Sequence, residues 1–400
     1  MAVVTEGQVR VGTSEFRRIN VALFCAGFVT FITLYDIQPL LPLFALEFNV
    51  SPAVASLPLS VSTIALALGM LLAGTVSETL GRRQVMTVAL FLTSLLAVAT
   101  LFSHSFHSLL ALRLLQGLVL AGVPSVAMAY LGEEMDAQSI GHAMGLYISG
   151  NALGGMAGRI GSALLCSYVP WHTAIALIGV FSLLLSLVFL KSLPPSTNFR
   201  QRPFQPSYLF TSLLQHLHDP GLLCLYGLAF LAMGGFISLY NYIGFRLLAA
   251  PYNLSHYQVS LIFLVYLLGS FSSGVIGSLI HRFGRPFMIR LTLFVMLAGT
   301  LITLSGSLPA IVAGVGVFTC GFFSVHAIAS SWVGRRARTA KAQASSLYLF
   351  SYYLGSSISG TVGGMFWLNY GWNGVVALIT LLLLAAFGVA ALLLRLPVVE

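Results

Sequence analysis

Charge is what this 400-residue sequence has least of: Asp, Glu, Lys and Arg make up 7% of it, against about a quarter of a soluble chain. With 58% hydrophobic residues, there are too few polar side chains to cover a water-exposed surface, so much of the apolar surface has to face lipid. Acids are scarcer than bases, 10 against 19, giving a net charge of +9. That excess would suit nucleic acid if it were gathered in one patch, but the bases fall in short loops between apolar runs, so no nucleic-acid partner is expected. The four cysteines, Cys25, Cys166, Cys224 and Cys320, stand far apart with no CxxC or Cys/His spacing, which excludes a metal or redox motif, and no cofactor is expected. No His/Asp/Glu cluster lies within the apolar runs, which argues against a membrane enzyme. No polar connection is longer than the 191–219 segment, leaving no room for an appended sensor domain. No small-residue cleavage pattern follows the first apolar run, which is too long for a signal core, so the N-terminus is expected to stay.

What is present is a series of apolar runs, and about twenty residues at 1.5 Å rise cross the ~30 Å hydrocarbon core. The runs predict an all-α membrane protein with twelve transmembrane helices, near 20–45, 55–77, 84–102, 108–131, 139–165, 171–190, 221–246, 257–280, 287–306, 309–331, 343–367 and 372–395. The expected division is an N-terminal tail 1–19, a six-helix half 20–190, a linker 191–219, a second six-helix half 220–396 and a tail 397–400. Pro194, Pro195, Pro203 and Pro206 mark the linker as polar and turn-rich.

Bases alternate sides along this series. Arg82 and Arg83, then Lys191, Arg200 and Arg202, then Arg282 and Arg285, then Arg335, Arg336, Arg338 and Lys341 fall in every second set of loops, with Arg246 the nearest exception. The positive-inside rule then places both termini and the linker in the cytoplasm of a multi-pass inner-membrane protein.

Three matches point to duplication. Leu34-Tyr35-Asp36 answers Leu239-Tyr240-Asn241 at an offset of 205; Gly74, Gly81 and Arg82 answer Gly277, Gly284 and Arg285 at 203; Leu146-Tyr147 with Leu153-Gly154 answer Leu347-Tyr348 with Leu354-Gly355 at 201. Repeated halves are characteristic of transporters, whose substrate path lies where the repeats meet.

The segment Gly74-Thr-Val-Ser-Glu78-Thr-Leu-Gly81-Arg82-Arg83 resembles the loop motif between spans two and three of the major facilitator superfamily, with Glu78 in place of the acid and Thr79 in place of the first base. Its echo from Gly277 to Pro286 keeps Arg282, Gly284 and Arg285 but has His281 at the acid position. These residues are expected to form a conformational latch, a basic turn that bonds the end of a neighbouring helix. Arg113-Leu-Leu-Gln-Gly117 resembles the span-four motif, and Gly150-Asn151-Ala-Leu-Gly154-Gly155 that of span five in proton-linked exporters, with Asn151 where proline is usual. Leu193-Pro-Pro-Ser196 resembles the usual end of span six, with Pro195 in place of the acid. Leu146–Gly150, Asn241–Leu247 and Ser345–Ser357 look like the YnfM-like group of bacterial exporters.

Asp36, Arg113 and Arg159 are the strongly ionisable residues well inside the spans. Groups that are costly at such depth mark a path, a proton relay or a structural pair. Counted from the outer ends, they lie roughly 14, 8 and 9 Å deep, close to one layer. Asp36 is the expected proton carrier with Arg113 and Arg159 biasing it; a fixed Asp36–Arg159 ion pair between spans one and five is the alternative. His326 is expected to bond a neighbouring helix.

Gly150, Gly154, Gly155 and Gly158 on span five allow a close backbone approach, serving as packing or as a hinge or seal. Tyr35, Asn151, Tyr240, Asn241, Tyr266, Tyr348 and Tyr352 combine apolar faces with polar groups and are the expected substrate-binding residues. The expected protein is a monomeric secondary transporter embedded in lipid, exporting small amphipathic or aromatic solutes against protons by alternating access. Uptake of a small metabolite by proton symport or facilitated diffusion is the alternative.

Overall fold

A computed structural model describes residues 8–136, 138–199, 201 and 206–396; Glu6, Arg200, Arg202, Pro203 and the expected tail 397–400 lie outside the described residues. Ten helices among the described residues are long and apolar enough to cross a membrane. Two features bring the spans to twelve. The glycine-rich helix Ile140–Leu165, 26 residues long, is span five. The helical stretch Lys341–Leu393, 53 residues, is too long for one crossing, about 80 Å if it were straight. It breaks at Gly371, whose φ of 57° and ψ of −145° no side chain would favour, so it contains two helices, spans eleven and twelve. The chain is all α, two sets of six spans.

The ends of the spans differ from the expected ones by a few residues. Span one is Ser14–Glu47, begun by a Thr13 hydroxyl that accepts from the Phe16 amide, so part of the expected tail is already helical. Ahead of it, Val9 bonds the Glu134 carbonyl at 2.8 Å, tying the N-terminal segment beside the loop after span four. Spans three and nine, Arg82–Phe102 and Arg285–Ile302, each start after a glycine with positive φ, Gly81 and Gly284.

The linker, expected to be turn-rich, contains the helix Pro206–Leu217. Proline opens it because the first turn has no intrahelical use for its missing N–H. Phe210, Leu214 and Leu217, at i, i+4 and i+7, form an exposed apolar stripe, whereas Ser212 and His216 are buried, His216 sharing a hydrogen bond with the Ala340 carbonyl at 3.1 Å. A reporter fused in the linker, or after Leu396, is expected to read cytoplasmic; an external reading at either site contradicts the orientation drawn from the basic loops.

Packing groups the helices into two compact units: residues up to Ile37 with Leu68–Pro206, and Gln38–Ala67 with residues from Ser207 on. In the first, span five lies along span one and span six along span three, where a Cβ at Gly179 would meet the Val98 amide nitrogen at 2.7 Å. In the second, span seven lies along the Lys341–Leu393 helix and span nine along span ten, Gly299 against the Gly314 carbonyl.

Candidate functional site

Span one does not run straight through. Its first helix ends at Tyr35, and Pro39, which cannot donate to the carbonyl four residues back, opens a short 3-10 turn at Gln38–Leu40 before helix resumes at Leu41–Glu47. The break frees carbonyls with no water to satisfy them. Arg113 of span four fills that need: Nη1 donates to the Thr33 carbonyl at 2.9 Å and Nη2 to the Leu34 carbonyl at 2.7 Å. Nη1 also donates to Gln116 Oε1 at 2.6 Å and to Asp36 Oδ1 at 3.2 Å. Asp36 and Arg113 are both 0% exposed, and Asp36 Oδ2 is buried with no hydrogen-bond partner. The salt bridge of Asp36 is therefore with Arg113, in place of the Arg159 pair offered by the sequence.

Arg159 instead lies with its guanidinium carbon 3.9 Å from the centre of the Tyr35 ring, a cation–π contact, and donates to its own helix at the Gly155 carbonyl, 2.7 Å. Tyr35 is thus buried under Arg159, one residue from Asp36. The arginines therefore hold opposite sides of the span-one break: one caps its carbonyls, the other covers the adjacent ring.

The glycines fix how span five meets span one. Gly150, Gly154 and Gly158, four residues apart, face the backbone of Phe24, Phe28 and Ile32, also four apart; a Cβ at Gly154 would lie 2.7 Å from Phe28 Cα. Asn151 joins the seam, its Oδ1 against Gly27, and that oxygen has no hydrogen-bond partner. Gly155 differs: a Cβ there would meet Arg159 Nη1 at 3.1 Å, a flexible side chain. Gly355 faces Phe230 as Gly154 faces Phe28, so the duplication is visible in the packing.

Within the second unit, the segment Gln38–Ala67 is tied to spans seven and eleven by side chains that, Asn241 and Ser357 apart, no sequence motif singled out. Gln38 Nε2 donates to Asn241 Oδ1 at 2.7 Å. Thr63 and Ser357 share a hydrogen bond of 2.7 Å, Ser357 donates to the Ser60 carbonyl at 2.9 Å, and Thr361 donates to the Ser60 hydroxyl at 3.1 Å. Tyr242 donates to the Gly360 carbonyl, and Gly364 packs against the Ala53 backbone. The signal was there as helix-spaced small polar residues, Ser56, Ser60 and Thr63 against Ser357 and Thr361. Asn241, expected to bind substrate, is engaged in this clasp.

The expected tyrosines gather in an aromatic cluster of the same unit. Phe236 stacks on Phe322 at 3.9 Å and touches Tyr240 at 4.8 Å and Tyr266 at 5.6 Å; Tyr240 shares a 2.7 Å hydrogen bond with Thr319. His326 and the Tyr348 hydroxyl share a hydrogen bond of 3.0 Å, and the His326 ring lies 4.9 Å from that of half-buried Tyr352. Tyr35 and Asn151 belong to the first unit and are not members of this cluster.

At the basic ends of the spans, Arg82 is held from several sides: Nη2 pairs with Glu133 at 2.8 Å and Glu78 at 3.6 Å, and Nη1 donates to the Gly74 carbonyl at 3.0 Å and Ser77 at 2.5 Å. Arg83 donates to the Leu190 carbonyl at 2.9 Å. In the second unit, Arg336 donates through Nε to Asp219 at 2.7 Å, and Asp219 also caps span seven by accepting from Gly221 and Leu222. Partial burial opposes its ionisation, but Arg336 and those amides win and hold the Asp219 carboxyl below the usual range. Gly277 and Gly284 meet only open space or the adjacent proline ring, and Arg282 lies over Phe283 at 5.2 Å. Arg246, the base outside the alternating pattern, bonds the Thr303 and Ser305 carbonyls that span nine leaves open.

Comparison with known proteins places this geometry. The model of the Major Facilitator Superfamily matches residues 21–325. The chain is 49% identical over 387 residues to the uncharacterized MFS-type transporter YybF of Bacillus subtilis, covering 97% of this chain and 96% of that protein. It is 47% identical over 378 residues to the inner membrane transport protein YnfM of Escherichia coli, covering 94% and 91%. Among solved structures, the human organic anion transporter MFSD10 superposes with a TM-score of 0.73 at 21% identity, covering 94% of this chain and all of that one.

Proposed function

Because the chain belongs to the Major Facilitator Superfamily, we propose that it is a secondary active exporter of small amphipathic or aromatic solutes, driven by proton antiport through Asp36. It is a multi-pass membrane transporter of small solutes and not an enzyme. The observation that carries the proton role is the state of Asp36: fully buried, one carboxylate oxygen on Arg113, the other without a hydrogen-bond partner. Arg113 has three further acceptors, Thr33, Leu34 and Gln116, so a proton on Asp36 would not leave the guanidinium without hydrogen bonds. A buried acid that can lose its charge without dismantling its surroundings is suited to carry protons. Arg159 over Tyr35 keeps a second fixed positive charge against the residue next to Asp36 in the chain.

The aromatic cluster supports the solute class. Stacked rings with hydroxyls at Tyr240, Tyr348 and Tyr352 suit flat, partly apolar molecules, and from Ser207 on the only acids are Asp219 and Glu400, neither within a span. The Gln38–Asn241 and Thr63–Ser357 clasp serves as the outer closure in this reading, and Arg82 with Glu133 as an inner latch; the chain acts as a monomer.

The clasp gives a direct test. Gln38→Ala leaves Asn241 unpaired at a cost of about 1–3 kcal/mol, enough to shift a two-state closure roughly tenfold. In a background with the native cysteines replaced by serine, outside labelling of Ser56→Cys by an impermeant maleimide should speed up about tenfold when Gln38→Ala is added. Unchanged labelling would remove the clasp from the gating account.

A further inference from the structure

The duplication pairs Arg82 with Arg285, yet their surroundings are opposite in sign. The side chains that accept hydrogen bonds from Arg82 or pair with its charge are Ser77, Glu78 and Glu133. At the motif's offset of 203, Ser77 corresponds to Ile280 and Glu78 to His281, and at 202, midway between that offset and the 201 of the span-five match that follows, Glu133 corresponds to Arg335. Ile280 and Arg335 cannot accept a hydrogen bond from a guanidinium, His281 carries no fixed negative charge, and the central carboxylate has become a second guanidinium. Around these replaced positions, Gly277, Ile280, His281, Gly284, Arg285, Ser331 and Arg335 line a cavity of about 510 Å³ at the basic ends of spans eight, nine and ten. Arg285 Nε is buried there with no hydrogen-bond partner, and the charge of Arg335 acts on it unfavourably.

Among the described residues from Ser207 on, the one carboxylate, Asp219, is engaged by Arg336. A buried guanidinium N–H left unpaired beside a like charge is costly, so a negative ligand bound here would be strongly favoured. Two planar forks with an imidazole alongside match a tetrahedral oxyanion with several acceptor oxygens better than a halide.

We propose that this cavity binds a phosphate-type oxyanion, held between Arg285 and Arg335, which takes the place that Glu133 occupies beside Arg82. The phosphate can come from the headgroup of an anionic phospholipid, as the cavity lies at span ends, or from a free phosphate in solution.

The test uses purified full-length protein in detergent, followed by intrinsic tryptophan fluorescence through thermal unfolding. The probes are phosphatidylglycerol, phosphatidylcholine, inorganic phosphate, and chloride at matched ionic strength. Wild type is expected to melt several degrees higher with phosphatidylglycerol or with phosphate than with phosphatidylcholine or chloride. Arg285→Gln or Arg335→Gln should weaken apparent binding about ten- to hundredfold, the usual effect of losing a charge-assisted hydrogen bond. Arg335→Glu rebuilds the first unit's pair, so it should melt higher than wild type without ligand and lose the response. A response to phosphatidylglycerol beyond that to phosphate assigns the ligand to lipid; an equal response assigns it to free phosphate. The proposal is overturned if wild type responds to none of these anions, if chloride matches phosphate, or if the glutamine variants respond like wild type.

Discussion

Asp36→Asn is expected to abolish proton-coupled transport while leaving the protein folded and inserted. Asparagine keeps the size and one acceptor oxygen for Arg113 Nη1, and Arg113 retains the Thr33 and Leu34 carbonyls and Gln116, so the span-one break stays capped. What is lost is the one carboxyl set away from the ends of the spans, where it can change charge at depth. Coupled flux should drop to background, on the order of a hundredfold or more, whereas exchange of labelled solute for unlabelled solute without a pH gradient should persist. Arg113→Ala has a different signature. It leaves Asp36 and two carbonyls unsatisfied at depth, and removing one partner of a buried pair costs about 3–5 kcal/mol, so it should fail in stability before it fails in coupling. If Asp36→Asn also ends exchange in folded protein, Asp36 binds solute and the proton role falls.

Gly154→Leu is the second large effect. The glycine sits where a Cβ would lie 2.7 Å from Phe28 Cα, between Gly150 and Gly158 on the same seam, so a leucine has to drive spans one and five apart. Overpacking of this kind costs about 1–3 kcal/mol, and the Asp36 and Arg159 environments hang on the same two helices. Transport should fall at least about tenfold at equal membrane abundance, with Gly154→Ala intermediate. Gly155→Leu should be milder, because the atom it meets is the movable end of Arg159. Wild-type transport by folded Gly154→Leu would show that the contact is not needed for function.

The contrast between those glycines shows where sequence reading reaches its limit. A run of glycines at helical spacing announces a close approach, but which glycine touches backbone and which touches a side chain depends on the partner helix. The spans themselves were legible because a hydrocarbon layer imposes length and polarity on every crossing, whatever the tertiary structure. So was the duplication, since the same motif returns at nearly one offset. Arg82 could be singled out from its motif, but its main partner Glu133 is 51 residues away and nothing local marks the pair. Likewise, three charges at one depth set Asp36 beside both arginines, with an Asp36–Arg159 pair as the alternative; the pairing with Arg113 comes with the span-one break, whose local signal was Pro39. The linker helix was hidden because its prolines and polar residues outweighed a short apolar stripe at 210, 214 and 217.

Solute-dependent proton movement tests the central claim most directly. Everted vesicles containing the protein are acidified inside by respiration and followed with acridine orange while aromatic and amphipathic solutes are added in turn. Proton antiport predicts that solutes the protein carries release protons from the lumen and restore fluorescence with wild type, and do not with Asp36→Asn. If the same solutes leave the vesicle gradient intact and instead make the medium alkaline when added to de-energised whole cells, protons enter together with solute, and the export account is contradicted.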